Sequence, residues 1–243
     1  MNYKLIYKDK TYGIEHPLQE HEIQSQITEI FEKQHYKPTK TGKVAIDLGA
    51  NVGLASIYLA DKFDTVYAIE ANPEIYKYLV KNTKGLKNVK TFNCAIVIVN
   101  KDRVAMFGKN AYLAQSLYKE YELQEPTAIT RGVTLNRFFE ENKIDHVDLL
   151  KIDIEGAEYD VFFDQTFGEV AQKIDTIIGE SHVDVGNANR NPLLIPPILK
   201  LYGYKTEMFG DGNYFVTVSF ENTDTGYRRT VDLYIDTMFR SQR

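Results

Sequence analysis

The sequence predicts an α/β fold with a mostly parallel seven-stranded sheet, a C-terminal antiparallel hairpin and helices on both faces. Three observations carry this expectation. Short apolar runs that read as buried strands alternate with helical segments between residues 43 and 94. The first of those runs passes through a glycine-containing turn directly into a helix. The alternation resumes between 134 and 179, after a less regular stretch.

Taken in order, residues 18–35 place Ile23, Ile27, Ile30 and Phe31 on one side at helical spacing, an amphipathic helix that covers a core. The turn residues at 37–42 break this pattern, so residues 1–41 read as an N-terminal extension and 42–219 as the main domain. Strand 43–48, helix 53–61, strand 65–70, helix 73–83 and strand 89–94 follow. Asn72 is placed to cap the second helix, with Pro73 at its first position and Ile75, Tyr76, Leu79 and Val80 on one face. This β-α-β-α-β order requires right-handed crossovers in a parallel sheet. Residues 96–132 read as an insertion with a strand at 103–107 and a turn at 107–110. A helix at 134–142 starts from Thr134 and buries Leu135, Phe138 and Phe139. Strand 147–152, a helix from about 157 and strand 174–179 complete the alternation. A Pro-rich segment leads to a short helix ending near 202, then to strands 204–208 and 214–218 around Gly210, Asp211, Gly212 and Asn213, a hairpin signal. Residues 220–243 are a polar tail.

With 243 residues the chain suits one large domain, and its 43% apolar content with 17 Tyr and 13 Phe supplies a core. A net charge of −5 offers no general attraction to phosphate backbones, so no nucleic-acid partner is expected. The single cysteine, Cys94, cannot form an internal disulfide, and no Cys/His cluster has zinc spacing, which suits a reducing, cytoplasmic setting. The N-terminus lacks an apolar signal core and the apolar run 94–99 is too short to span a bilayer, so no membrane insertion is expected.

The most informative stretch runs from Val44 to Gly53, where ligands bind in open α/β sheets. Gly49 suits a tight turn, Gly53 suits close backbone approach at the helix start, and Asp47 either orients the loop or meets a cationic amine. The next strand ends in Glu70, at the distance along the chain where a carboxylate accepts hydrogen bonds from both ribose hydroxyls. The two features together favour a nucleoside ligand over solvated strand ends. Nicotinamide enzymes place a glycine where this chain has Asn51, to admit a pyrophosphate. S-adenosylmethionine has no phosphate and needs polar contacts for its amino-acid end, so Asn51 favours the methyl donor. Cys94 and Ala95, closing the third strand, either border the adenine or simply pack in the core.

The segment around Asp153, Glu155 and Glu158 puts three carboxylates at one helix N-terminus, where acids also complement the helix dipole. For Glu158 a scaffold role is favoured; Asp153 and Glu155 border the crevice. The next strand leads to Glu180 and His182, and His182 is the expected base near neutral pH. Metal-assisted and metal-free routes both remain open, with no metal ligand assigned. Tyr112, Gln115, Ser116 and Tyr118 line an acceptor pocket, pack in the core or lie exposed.

The motif from Val44 to Gly53, the run Val66 to Pro73 and the run Val147 to Glu158 together resemble the FkbM family of O-methyltransferases over roughly residues 42–182. Family members commonly carry Pro where this chain has Ala71; Glu70 and Asn72 stay in place. The resemblance implies a Rossmann-like class I methyltransferase fold, S-adenosylmethionine as cofactor, a cofactor site including Asp47, Gly49, Asn51, Gly53, Glu70, Asn72, Cys94 and Ala95, and methyl transfer to a hydroxyl of a small molecule such as a sugar or glycan. A nicotinamide-dependent oxidoreductase and a non-catalytic nucleoside-binding protein are the alternatives.

Overall fold

The computed structural model describes residues 1–38, 40–107, 125–164, 166–182 and 192–204, with the backbone of four short strands between 207 and 229. Its centre is a five-stranded, wholly parallel sheet of β3 (Gly42–Leu48), β4 (Phe63–Ile69), β5 (Val89–Phe92), β9 (Val147–Ile152) and β10 (Ile174–Gly179). The spatial order is β10-β9-β3-β4-β5. The chain therefore builds outward from β3 to β5 and then returns to the other side of β3. That reversal opens a crevice at the C-terminal strand ends.

Side-chain alternation along the strands feeds two cores. Ile46 and Leu48 of β3, with Leu150 and Ile152 of β9, face one cluster with Phe138, Phe139, Phe162 and Phe167. Those aromatics come from α4 (Leu135–Asn142), α5 (Glu158–Phe163) and α6 (Phe167–Ala171). Ala45 and Leu149 face the opposite cluster, with Ile57, Tyr58 and Leu59 of α2 (Leu54–Ala60). Burial on both faces explains why these strands read as continuous apolar runs rather than alternating ones. Helix α3 (Pro73–Thr83) starts at Asn72, whose side chain accepts from the backbone N–H of Glu74 and Ile75.

The N-terminal segment holds an element that the sequence pattern hides. β1 (Asn2–Tyr7) and β2 (Lys10–Glu15) form an antiparallel hairpin closed by Lys8 and Asp9, with Lys8 at φ 52°. The turn carries no Asn-Gly or Gly signal, which is why periodicity alone misses it. α1 (Glu20–Ile27) continues as a π-helical turn, Thr28–Glu32. Leu5, Ile14, Leu18, Ile23 and Ile30 all join the cluster containing Ala45 and Leu54, so the segment shares a core with the sheet.

Seven strands are expected in the main sheet; among the described residues it has five. Among the described residues β11 (Glu207–Phe209) and β12 (Tyr214–Val216) pair antiparallel with each other and not with β10. β13 (Phe220–Asn222) and β14 (Tyr227–Arg229) form a second ribbon within the expected tail. The turn at 210–213 lies outside the described residues. Part of the irregular insertion is a separate three-stranded sheet of β6 (Ala95–Ile96), β8 (Ala128–Val133) and β7 (Lys101–Met106). Among the described residues no helix is long and apolar enough to cross a membrane.

Candidate active site

The loop after β3 is shaped by backbone rather than by its side chains. Gly49 has φ 77°, and a Cβ there would stand 1.7 Å from the Asp153 carbonyl oxygen, so no other residue fits. The N–H groups of Gly49 and Ala50 both donate to the Ile69 carbonyl, tying this loop to the end of β4. Beneath it lies Lys151, buried to 2% exposure, whose ammonium donates to the carbonyls of Leu48 at 3.2 Å and Gly49 at 2.9 Å. The same ammonium is 3.1 Å from Asp47 Oδ1 and 3.7 Å from Asp153 Oδ2. Burial alone would lower the Lys151 pKa, but the charges of Asp47 and Asp153 more than reverse that. Asp47 is fully buried; its other oxygen accepts from the Ser56 hydroxyl at 2.6 Å. Asp47 thus supports the loop from below. Spacing alone assigns Lys151 no role, although a lysine within the buried run Leu149–Ile152 is the signal that marks it.

At the end of β4, both Glu70 oxygens already accept backbone N–H bonds, from Asn51 at 2.9 Å and Asn72 at 2.8 Å. The carboxylate is thereby fixed in orientation, with a second lone pair on each oxygen left over. Burial raises its pKa to about 7, against the lowering effect of those two bonds. Asn51 sits at φ 48° with its side chain accepting from the Val52 N–H. Cys94 is buried, which lifts its thiol to about 11, so it is a packing residue rather than a nucleophile.

The other half of the site is acidic. Asp153 Oδ2 accepts from the Tyr36 hydroxyl at 2.9 Å, a contact from the N-terminal segment. Glu155 stands at φ 55° in the tight turn after β9. Glu158, fully buried at the start of α5, accepts from the Ile154 N–H at 2.9 Å and lies 3.0 Å from His182 Nδ1. His182 Nε2 then faces Glu155 Oε2 at 3.4 Å, Asp153 Oδ1 at 3.9 Å and Glu180 Oε1 at 3.9 Å. Tyr159 fixes the backbone beneath by donating to the His182 carbonyl at 3.0 Å. Burial would lower the imidazole pKa, but Glu155, Glu158 and Glu180 outweigh it and hold the ring well above the ordinary range.

These two halves line one cavity of about 290 Å³. Of the residues singled out from sequence, Gly49, Asn51, Glu70, Cys94, Ala95, Asp153, Glu155 and His182 border it. Asp47, Gly53 and Asn72 do not. Gly53, at φ 97°, packs against Leu79 and Thr83 of α3, 3.1 and 3.2 Å from where its Cβ would be. It therefore serves helix packing at this point. Tyr112, Gln115, Ser116 and Tyr118 lie outside the described residues. Sequence reasoning missed Gln26, Glu29 and Tyr36, which the N-terminal segment brings to the cavity. No local spacing could connect Tyr36 to Asp153.

The model of the methyltransferase FkbM domain matches residues 47–206, about two thirds of the chain. The chain belongs to the FkbM methyltransferase family. Membership makes it an S-adenosylmethionine-dependent methyltransferase. No curated protein sequence matches the chain. Solved structures similar to this FkbM-family chain include the FkbM methyltransferase of Methylobacillus flagellatus, at 16% identity and TM-score 0.41 over 79% of this chain and 43% of that one. TYW2 of M. jannaschii, solved in complex with AdoMet, matches at 16% identity and TM-score 0.42 over 96% and 85%. Precorrin 8w decarboxylase of Methanobacterium thermoautotrophicum matches at 15% identity and TM-score 0.42 over 90% and 88%. At such TM-scores these likenesses carry no argument about function.

The residues of the FkbM-family site fit the cofactor in charge and in donor set. S-adenosylmethionine carries a sulfonium and an ammonium against one carboxylate, and the cavity is bordered by Glu29, Glu70, Asp153, Glu155 and Glu180. A fixed carboxylate with spare lone pairs matches a ribose diol.

Proposed function

We propose that this FkbM-family chain transfers the methyl group to a hydroxyl oxygen of a small molecule such as a sugar. The observation that carries this reading is the polar wall of Asp153, Glu155, Glu180 and His182, in the same cavity as Glu70. Alcohols are poor nucleophiles until their proton is taken, so an O-methyltransferase needs acceptors of a proton beside the reacting oxygen. Carbon or ring-nitrogen acceptors have less need of such a wall.

Bound S-adenosylmethionine supplies an electrophilic methyl group on sulfur. Glu70 would accept hydrogen bonds from the ribose hydroxyls, the backbone of Gly49 to Asn51 would border the amino-acid end, and Cys94 and Ala95 would border the adenine. The expectation that His182 takes the acceptor proton requires a neutral ring, and the carboxylates around it favour the imidazolium. Proton acceptance therefore falls to the carboxylates, with His182 positioning them and Tyr36 holding Asp153.

The test is a metabolite extract incubated with the protein and methyl-labelled S-adenosylmethionine. Label on an ether oxygen of a hydroxylated product supports the reading; label only on nitrogen or carbon overturns it.

A further inference from the structure

Asp153, Glu155 and His182 each present one ligand atom, and these three atoms lie within 4.8 Å of one another. Ligands held at about 2.1 Å from a single ion stand roughly 3–4 Å apart, so a small contraction would close the set. Glu180 adds an oxygen 3.9 Å from His182 Nε2.

Two further observations point to a cation rather than to an acidic surface. The His182 side chain is only 9% exposed, its Nδ1 is engaged by Glu158, and its Nε2 is turned to the cavity. Among the described residues Nε2 makes no hydrogen bond, although three carboxylates surround it. With Nδ1–H held by a buried carboxylate, Nε2 is the nitrogen aimed at the cluster, and a cation bound there would take the place of its proton, the arrangement that orients metal-binding histidines. The charge around the ring is also unbalanced. Glu158 Oε2 is buried with no hydrogen-bond partner among the described residues, and Lys151, the other nearby cation, is shared between the loop carbonyls, Asp47 and Asp153 and does not reach the glutamates.

We propose that Asp153, Glu155 and His182 bind one divalent cation, with Glu180 beside it and Glu158 holding the imidazole. Carboxylate oxygens with a single imidazole suit Mn²⁺ or Mg²⁺ better than a thiolate-loving ion. Resting on the O-methyl reading, the ion would bind the acceptor hydroxyl and lower its pKa, and Glu180 would receive the released proton.

The test uses the full chain stripped with a chelator and titrated with MnCl₂, free Mn²⁺ being followed by electron paramagnetic resonance. The expected result is one saturable site that Glu155→Gln weakens at least tenfold and Glu158→Gln by about 10–100-fold, the usual effect of losing the partner that orients a ligand. Thermal unfolding of each variant confirms that it is folded, and Glu155, at the cavity rim with 33% side-chain exposure, is the substitution the fold tolerates more readily. His146→Ala is the control, because His146, Asp148 and Asp175 form a second, more exposed cluster elsewhere. The proposal is overturned by absence of saturable binding at millimolar Mn²⁺, by wild-type affinity in folded Glu155→Gln, or by loss of binding in His146→Ala. Binding is read without methyl donor or acceptor, so its failure leaves the O-methyl reading standing, and label on nitrogen or carbon would leave the ion site standing.

Discussion

Single residues carry the sharpest consequences. Glu70→Ala removes a carboxylate fixed by two backbone donors, and calorimetry should show S-adenosylmethionine binding weakened by about 1.5–3 kcal/mol. The same residue predicts a pH dependence. Its folded pKa is raised to about 7, so its ionisation costs the folded state stability progressively between the ordinary carboxyl value and 7. A diol that donates to the carboxylate favours the ionised form, so cofactor affinity should rise as pH climbs toward 7 and then level off, by up to about tenfold per unit. Glu70→Gln should flatten that profile; an unchanged profile would assign it to another group. Lys151→Met leaves Asp47 buried without its ammonium, and urea unfolding should register a loss of about 3–5 kcal/mol. Adding Asp47→Asn should recover part of it, since the buried charge is then gone.

Elements matter here for what they bring across the cavity. The segment containing β1, β2 and α1 contributes Gln26, Glu29 and Tyr36 to a site otherwise built at strand ends. Tyr36→Phe should leave cofactor affinity within a few-fold and lower turnover by about 5–150-fold, through loss of one hydrogen bond to Asp153 worth about 1–3 kcal/mol. Comparable loss in cofactor binding would instead place Tyr36 against the cofactor. At the start of α2, Gly53→Ala introduces a side chain at φ 97° against α3. The expected effect is on stability, about 1–3 kcal/mol by denaturant midpoint, with less loss of affinity than Glu70→Ala. A folded, fully stable variant that no longer bound cofactor would restore Gly53 to the ligand.

At the scale of the whole molecule, the cavity joins the two halves of the sheet. Glu70 stands beyond β4 on one side of β3, and Asp153, Glu155 and His182 stand beyond β9 and β10 on the other. A ligand spanning both should stabilise the entire fold. S-adenosylhomocysteine at about 100 times its dissociation constant should add about 2.7 kcal/mol and raise the unfolding temperature by several degrees. NAD should leave it unchanged, and a shift with NAD alone would favour the oxidoreductase alternative.

The sequence by itself determined the parallel α/β core, the loop from Gly49 to Gly53, the carboxylate at Glu70 and the acids after β9. Each is written in local chemistry: apolar runs, a glycine where φ must be positive, a cap residue before a proline, an acid at a strand end. The sheet of five strands, the Lys8 turn, the burial of Lys151 beneath the loop and the reach of Tyr36 to Asp153 were decided only by tertiary structure. They depend on contacts between residues far apart in the chain, whose pairing no local spacing encodes. His182 shows the same division most sharply. Its place after a strand was legible from pattern, but its charge state depends on Glu155, Glu158 and Glu180 converging in space, because electrostatic energy follows distance through the fold rather than distance along the chain.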